Sequence, residues 1–206
     1  MMRLLPCGDR AILVELSDAA QRRRLDATLR RRPLEGSVEH VPGARTVLVV
    51  ARGREALPQI AAALLDLVLD DDTAPEGAGG EVVVEVRYDG PDLDDVAAHL
   101  GIAPREVVAR HTGQRWTVEF AGFAPGFVYL GGSAGGLEVP RRASPRTRIP
   151  AGAVGLAGPY SGVYPRPSPG GWQIIGRTDV PLWDPDREPP ALLAPGQRVR
   201  FVEVPA

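Results

Sequence analysis

Apolar residues recur along the first 87 positions with two different periods. From Arg10 to Leu16 they run almost unbroken after a Gly8-Asp9 turn, which predicts a short strand. Ser17 or Asp18 then offers an N-cap to an arginine-rich helix that Pro33 must end, because proline carries no N–H to continue the ladder. Ser37–Val41 and Arg45–Ala51 read as two strands around a Pro42-Gly43 turn. Leu57, Ile60, Ala61, Leu64, Leu65 and Val68 fall on one face at 3.6-residue spacing and predict a helix over about 55–69. Glu81–Val86 returns to strand, and the order β-α-β-β-α-β is that of a ferredoxin-like unit. Asp70–Gly80, with three successive Asp and then Pro, Glu and Gly, reads as a solvated linker with no metal-binding partner residues. The fold class expected is therefore α+β, with an N-terminal α/β domain over 1–80 and a second domain over 81–206.

In the second domain, Asp92–Leu100 and Pro104–His111 predict two short helices separated by Gly101, followed by a strand at Trp116–Phe120. Beyond it, short β segments at 148–149, 155–157, 172–175 and 198–204 alternate with Gly/Pro turns, the pattern of a β-barrel or sandwich decorated by loops. Residues 120–176 dominate this half. They hold seven of the chain's aromatic residues, a dense set of Gly and Pro, and five Arg (141, 142, 146, 148, 166) against one acid, Glu138. Large rings in glycine-rich backbone suit folded loops around a site, since glycine lets the main chain approach a ligand closely.

Composition removes several chemistries. All 24 basic residues are Arg, so a lysine Schiff base, a Ser-Lys dyad and a Walker A lysine are excluded. A net charge of −2, with Arg clusters confined to a helix and the loop region, argues against nucleic acid. The charge-free run 120–137 is broken by six Gly and a Pro, so no membrane span is expected. The start of the chain mixes Arg3, Asp9, Arg10 and Glu15 into its apolar residues without a cleavage-site pattern, and the single cysteine, Cys7, cannot form an internal disulfide; both fit a cytoplasmic location. No metal is expected, because His40, His99 and His111 have no ligand-spaced partners.

Among candidate site residues, His111 closes a helix just before the Gly/Pro-rich stretch, where the helix C-terminus would favour its cationic form and a proton-transfer role. Arg141, Arg142 and Arg146 would present guanidinium forks, suited to carboxylate or phosphate, from a proline-stiffened loop, and Arg142 and Arg146 are the two expected to bind an anionic substrate or intermediate. Phe123, Gly126, Tyr129 and Tyr164 would line the site. Ser168-Pro169-Gly170-Gly171-Trp172, leading to Arg177, is either an anion-binding nest or a tight turn.

Several collinear segments carry a resemblance. Gly8-Asp9-Arg10-Ala11, Phe123-Ala124-Pro125-Gly126-Phe127-Val128-Tyr129-Leu130, Pro140-Arg141-Arg142 with Pro145-Arg146, Ile149–Val154, Tyr160–Pro165 and Ser168–Trp172 through Gly176-Arg177-Thr178 together resemble the ordered signature of the KipI / PxpB family, also called allophanate hydrolase subunit 1. Ser161 and Ala153 stand where the family pattern has Thr and Ser; the first change keeps a hydroxyl and the second removes one. The resemblance implies that the second domain is a cyclophilin-like β-barrel. It implies the PxpB-type component of an ATP-dependent 5-oxoprolinase, which opens 5-oxo-L-proline to L-glutamate together with a KipA/PxpC-like partner and a lactam-utilisation-type partner. The ATP is used by the complex and is not clearly bound by this chain, which alone is expected to be inactive. Other members imply two alternatives, inhibition of a sensor histidine kinase and a carboxyltransferase-type role in urea or allophanate metabolism.

Overall fold

A computed structural model describes residues 2–69 and 80–205, and the chain divides into two compact units between residues 75 and 76. The Asp-rich linker reading falls almost wholly outside the described residues.

The first unit is built on a four-stranded antiparallel sheet of β1 (Arg3–Cys7), β2 (Ala11–Glu15), β3 (Ser37–Pro42) and β4 (Thr46–Ala51), in the order β1-β2-β4-β3. Alternation along β2 and β4 turns Ile12, Val14, Val47, Val49 and Ala51 to one face. Two helices cover that face: α1 (Ala19–Arg31) contributes Leu25 and Leu29, and α2 (Leu57–Leu65) contributes Ile60 and Leu64. The Asp18 side chain caps α1 by accepting from the Gln21 N–H at 2.8 Å.

Three expectations need correction here. A strand, β1, precedes the segment read as the first. Helix α2 stops at Leu65 rather than near 69, and the Val68 carbonyl instead accepts from an Arg32 guanidinium N–H. The segment expected to complete a ferredoxin-like order, β5 (Val82–Val86), is not part of this sheet. It pairs in parallel with β13 (Arg198–Glu203) in the second unit, where Val84 and Val86 are fully buried. Local periodicity showed that 82–86 is a strand but could not show which partner would cover its apolar face.

The second unit continues with α3 (Leu93–Leu100) and α4 (Pro104–Gly113). It then runs through β6 (Trp116–Ala121), β7 (Val128–Gly132), β8 (Arg146–Ile149), β9 (Ala153–Ala157), β10 (Tyr160–Val163), β11 (Ser168–Gly170) and β12 (Gln173–Arg177) before β13. Seven strands form one sheet in the order β12-β9-β10-β7-β6-β13-β5, and β8 pairs with β11 alone. The sheet nearly closes on itself. Beyond the end of β5, Arg87 exchanges both main-chain hydrogen bonds with Arg177 of β12, at 2.8 and 2.9 Å. Trp116, Val118, Val128, Leu130, Val154, Leu156, Ile175, Val199 and Phe201 fill the interior. A second apolar cluster, centred on Phe127, Ile149, Tyr164, Trp172 and Ile174, carries the loops of the Gly/Pro-rich stretch. No helix among the described residues is long and apolar enough to cross a membrane.

Candidate functional site

The loop joining β6 to β7 makes two tight turns in succession. The Ala124 N–H donates to the Gly122 carbonyl at 2.9 Å across Phe123, and the Phe127 N–H donates to the Ala124 carbonyl at 2.9 Å across Pro125-Gly126. Proline followed by a residue at positive φ is the type II signature, and Gly126 has φ 79°. A side chain at Gly126 would also press on Trp183, 2.8 Å from its Cβ. Phe123 is the only residue other than glycine at positive φ among the described residues (70°), and its ring is 59% exposed. A bulky side chain in that region is strained, so the surrounding turn holds it there against its own preference.

Beneath Phe123 the rings interlock. Phe127 meets Phe123, Tyr129, Tyr164 and Trp172, each with centroids 5.3 Å away and edge to face. Phe123, Phe127, Tyr129, Arg141, Tyr164, Gly170, Gly171 and Trp172 line a cleft of about 70 Å³. Gly170 lies so close to the Tyr164 hydroxyl that a Cβ there would displace the ring. Burial pushes the Tyr164 phenol up to about 12, with Arg141 pulling weakly the other way, so it is a neutral hydrogen-bonding group at physiological pH.

Arg142 and Arg146 have a different partner from the one expected. Asp92, 1% exposed at the start of α3, receives Arg142 Nη1 at 2.6 Å, the two Nη atoms of Arg146 at 2.8 Å each, and the Ile174 N–H at 2.6 Å. Burial alone would raise the Asp92 carboxyl. The Arg146 hydrogen bonds, the Ile174 amide and the two positive charges outweigh it and hold the group below the usual carboxylate range. The two guanidinium groups thus pair with an internal anion, Asp92, where the sequence suggested an external one.

His111 too has other surroundings than expected. It is 0% exposed inside the barrel, between Phe201 (centroids 4.3 Å) and Trp116 (4.9 Å). Its Nδ1 shares a hydrogen bond with the Tyr88 hydroxyl at 2.7 Å and its Nε2 with Ser161 Oγ at 2.8 Å. Desolvation pushes its pKa down to about 3, and this outweighs any preference of the helix end for a cation; the ring is neutral. The hydroxyl at 161, noted in the sequence as retained, is what satisfies Nε2. Arg177 likewise lies apart from the cleft, pairing with Asp89 at 2.9 Å.

The fold therefore brings together Phe123, Tyr129, Tyr164, Gly170 and Gly171 from the expected set, places Gly126 behind them, and leaves His111, Arg142, Arg146 and Arg177 engaged elsewhere. Sequence reasoning missed Asp92; it grouped Arg141 with Arg142 and Arg146 as a guanidinium cluster and noted the rings of Phe127 and Trp172, but chose none of these three as a site residue. Arg141 carried the same local signal as its neighbour Arg142; Asp92, far away in sequence, carried none. No cluster of metal-ligating side chains occurs among the described residues. A nucleoside triphosphate does not fit the cleft, whose volume is several times below the roughly 300 Å³ of ordinary ligand pockets.

Fold and site together define a two-unit α+β protein whose nearly closed β-barrel carries an aromatic cleft edged by arginine. The model of the carboxyltransferase domain, subdomains C and D, matches residues 2–193, and the chain belongs to that family. It is 41% identical over 202 residues to the 5-oxoprolinase B subunit of Escherichia coli O157:H7, covering 95% of this chain and 93% of that protein. Over 115 residues it is 49% identical to the 5-oxoprolinase B subunit of Bacillus subtilis, covering 56% of this chain and 48% of that protein. The crystal structure of TTHA0988 matches with a TM-score of 0.75 at 36% identity, over 100% of this chain and 40% of that one.

Proposed function

We propose that this chain is the B subunit of an ATP-dependent 5-oxoprolinase, which opens the lactam of 5-oxo-L-proline to L-glutamate. The observation that carries the reading is the near end-to-end identity with the Escherichia coli protein of that name, 41% over 95% of the chain. In this reading the barrel is cyclophilin-like and the protein cytoplasmic, working with a KipA/PxpC-like partner and a lactam-utilisation-type partner.

The geometry supports the reading of a contributing subunit. Ring opening breaks the amide C–N bond and adds water, and it needs an activating step and a group to move protons. Here the buried histidine is neutral and walled in, two arginines are tied to Asp92, and the cleft is too small for a nucleotide. What remains for this chain is to bind and orient a small molecule against the rings of Phe127, Tyr129 and Trp172, with activation supplied by its partners.

The test is reconstitution. The chain mixed with the KipA/PxpC-like and lactam-utilisation-type partners, ATP, Mg²⁺ and 5-oxo-L-proline should release glutamate, and each of the three proteins on its own should not. Inactivity of the complete set, or turnover by this chain alone, would overturn the proposal. The family description, together with partial matches to urea amidolyases, favours one second reading, a carboxyltransferase role towards urea or allophanate; ATP-dependent carboxylation of urea by a reconstituted complex, with no glutamate formed from 5-oxo-L-proline, would select it.

A further inference from the structure

The loop from Pro140 to Arg146 is held at several points. At its start, Val139 exchanges main-chain hydrogen bonds with Gly158 at 2.7 and 3.3 Å, and the Pro140 carbonyl accepts from Gln173 Nε2 at 3.2 Å. The Arg142 N–H donates to the Gly171 carbonyl at 2.7 Å, and the Arg142 and Arg146 side chains are clamped on Asp92. The Ile174 N–H, on the strand that follows Gly171 and Trp172, donates to the same carboxylate. One buried aspartate thus ties together the two walls of the cleft.

Arg141 lies between these fixed points, and it alone among the three arginines of the loop lines the cleft. It is exposed and has no acidic partner or hydrogen bond among the described residues. Tyr164 lines the same cleft, and burial keeps its hydroxyl protonated and able to donate. The rest of the lining is aromatic. An unpaired guanidinium carried on a fixed loop, a neutral hydroxyl and a floor of rings in about 70 Å³ select a compact molecule with one carboxylate and a flat apolar body.

We infer that Arg141 is the carboxylate-binding residue of the cleft, that its ligand is a small ring carboxylate, and that Asp92 is the positioning residue that aims it. Taking that ligand as 5-oxo-L-proline rests on the function proposed above.

The experiment is a titration of the full chain, followed by NMR, with 5-oxo-L-proline, with 2-pyrrolidinone, which has the same lactam ring but no carboxylate, and with 2-furoate, a ring carboxylate with no lactam. The wild-type chain should bind 5-oxo-L-proline about ten- to a hundredfold more tightly than 2-pyrrolidinone, the range a charge-assisted bidentate contact provides. Arg141→Met should abolish that preference at unchanged melting temperature, and Arg141→Lys should restore only part of it. Asp92→Asn should weaken 5-oxo-L-proline while leaving 2-pyrrolidinone untouched, a split that general loss of structure would not give. Equal binding of the two lactams, a preference that survives Arg141→Met, or no saturable binding of either carboxylate would overturn the inference. Arg141-dependent binding of 2-furoate without binding of 5-oxo-L-proline would uphold the carboxylate site and refute the substrate.

Discussion

Replacing Asp92 by alanine tests the ion cluster that holds the cleft together. The change strands two guanidinium groups and the Ile174 amide, all of which now donate to one buried carboxylate. Removing one partner of a buried charge cluster costs about 3–5 kcal/mol. The Arg142 and Arg146 side chains keep 31% and 27% exposure, so water recovers part of their solvation and the lower end applies, about 3 kcal/mol. The buried amide adds about 1 kcal/mol. For a chain of 206 residues this lowers the melting temperature by about 10 °C. Calorimetry at neutral pH measures it, and a cycle of Asp92→Ala, Arg146→Ala and the double variant should give a coupling of at least about 1 kcal/mol. Because the Asp92 carboxyl is depressed in the folded state, the stabilisation is complete above the ordinary aspartate value of about 3.9 and disappears as pH falls through the folded one. The penalty of Asp92→Ala should therefore shrink only below about pH 4. A loss under about 1 kcal/mol, or additive single variants, would show that these arginines are solvated loop charges after all.

Three further outcomes follow from the same geometry. His111 is neutral in the fold with its pKa pushed down to about 3, so the unfolded chain takes up a proton that the folded chain refuses. Stability should fall by about 1.4 kcal/mol per pH unit below about pH 6.5, and His111→Gln should flatten that slope in urea melts between pH 6 and 4. Ser161→Ala removes the partner of His111 Nε2 and should cost about 1–2 kcal/mol by the same melts, whereas Ser161→Thr keeps the hydroxyl and should cost less. Phe123→Gly relieves the positive φ and should stabilise the isolated chain by about 1 kcal/mol, yet reduce glutamate formation by the reconstituted complex; unchanged activity would make the exposed ring dispensable.

Much of this molecule was legible in one dimension. The N-cap at Asp18, the helix ended by Pro33, the hairpin strands 37–42 and 46–51 and the two helices after Asp92 follow from local spacing, because each is specified by neighbours within a few residues. The aromatic, glycine-rich stretch marked the cleft, since only a folded loop system gives such rings a reason to sit in such backbone. What the sequence could not contain was pairing at a distance. Strand 82–86 looks the same whether it completes the first sheet or lies beside 198–203, and only the buried faces of Val84 and Val86 decide. The same holds for charge. Arg141, Arg142 and Arg146 are chemically alike in the chain, and folding brings Asp92, 50 residues before Arg142, against two of them and leaves the third at the cleft. His111 ends a helix as read, but its protonation is set by the strands, aromatic rings and hydroxyl that enclose it. Electrostatic roles belong to the environment of a side chain, and that environment is assembled only by tertiary structure.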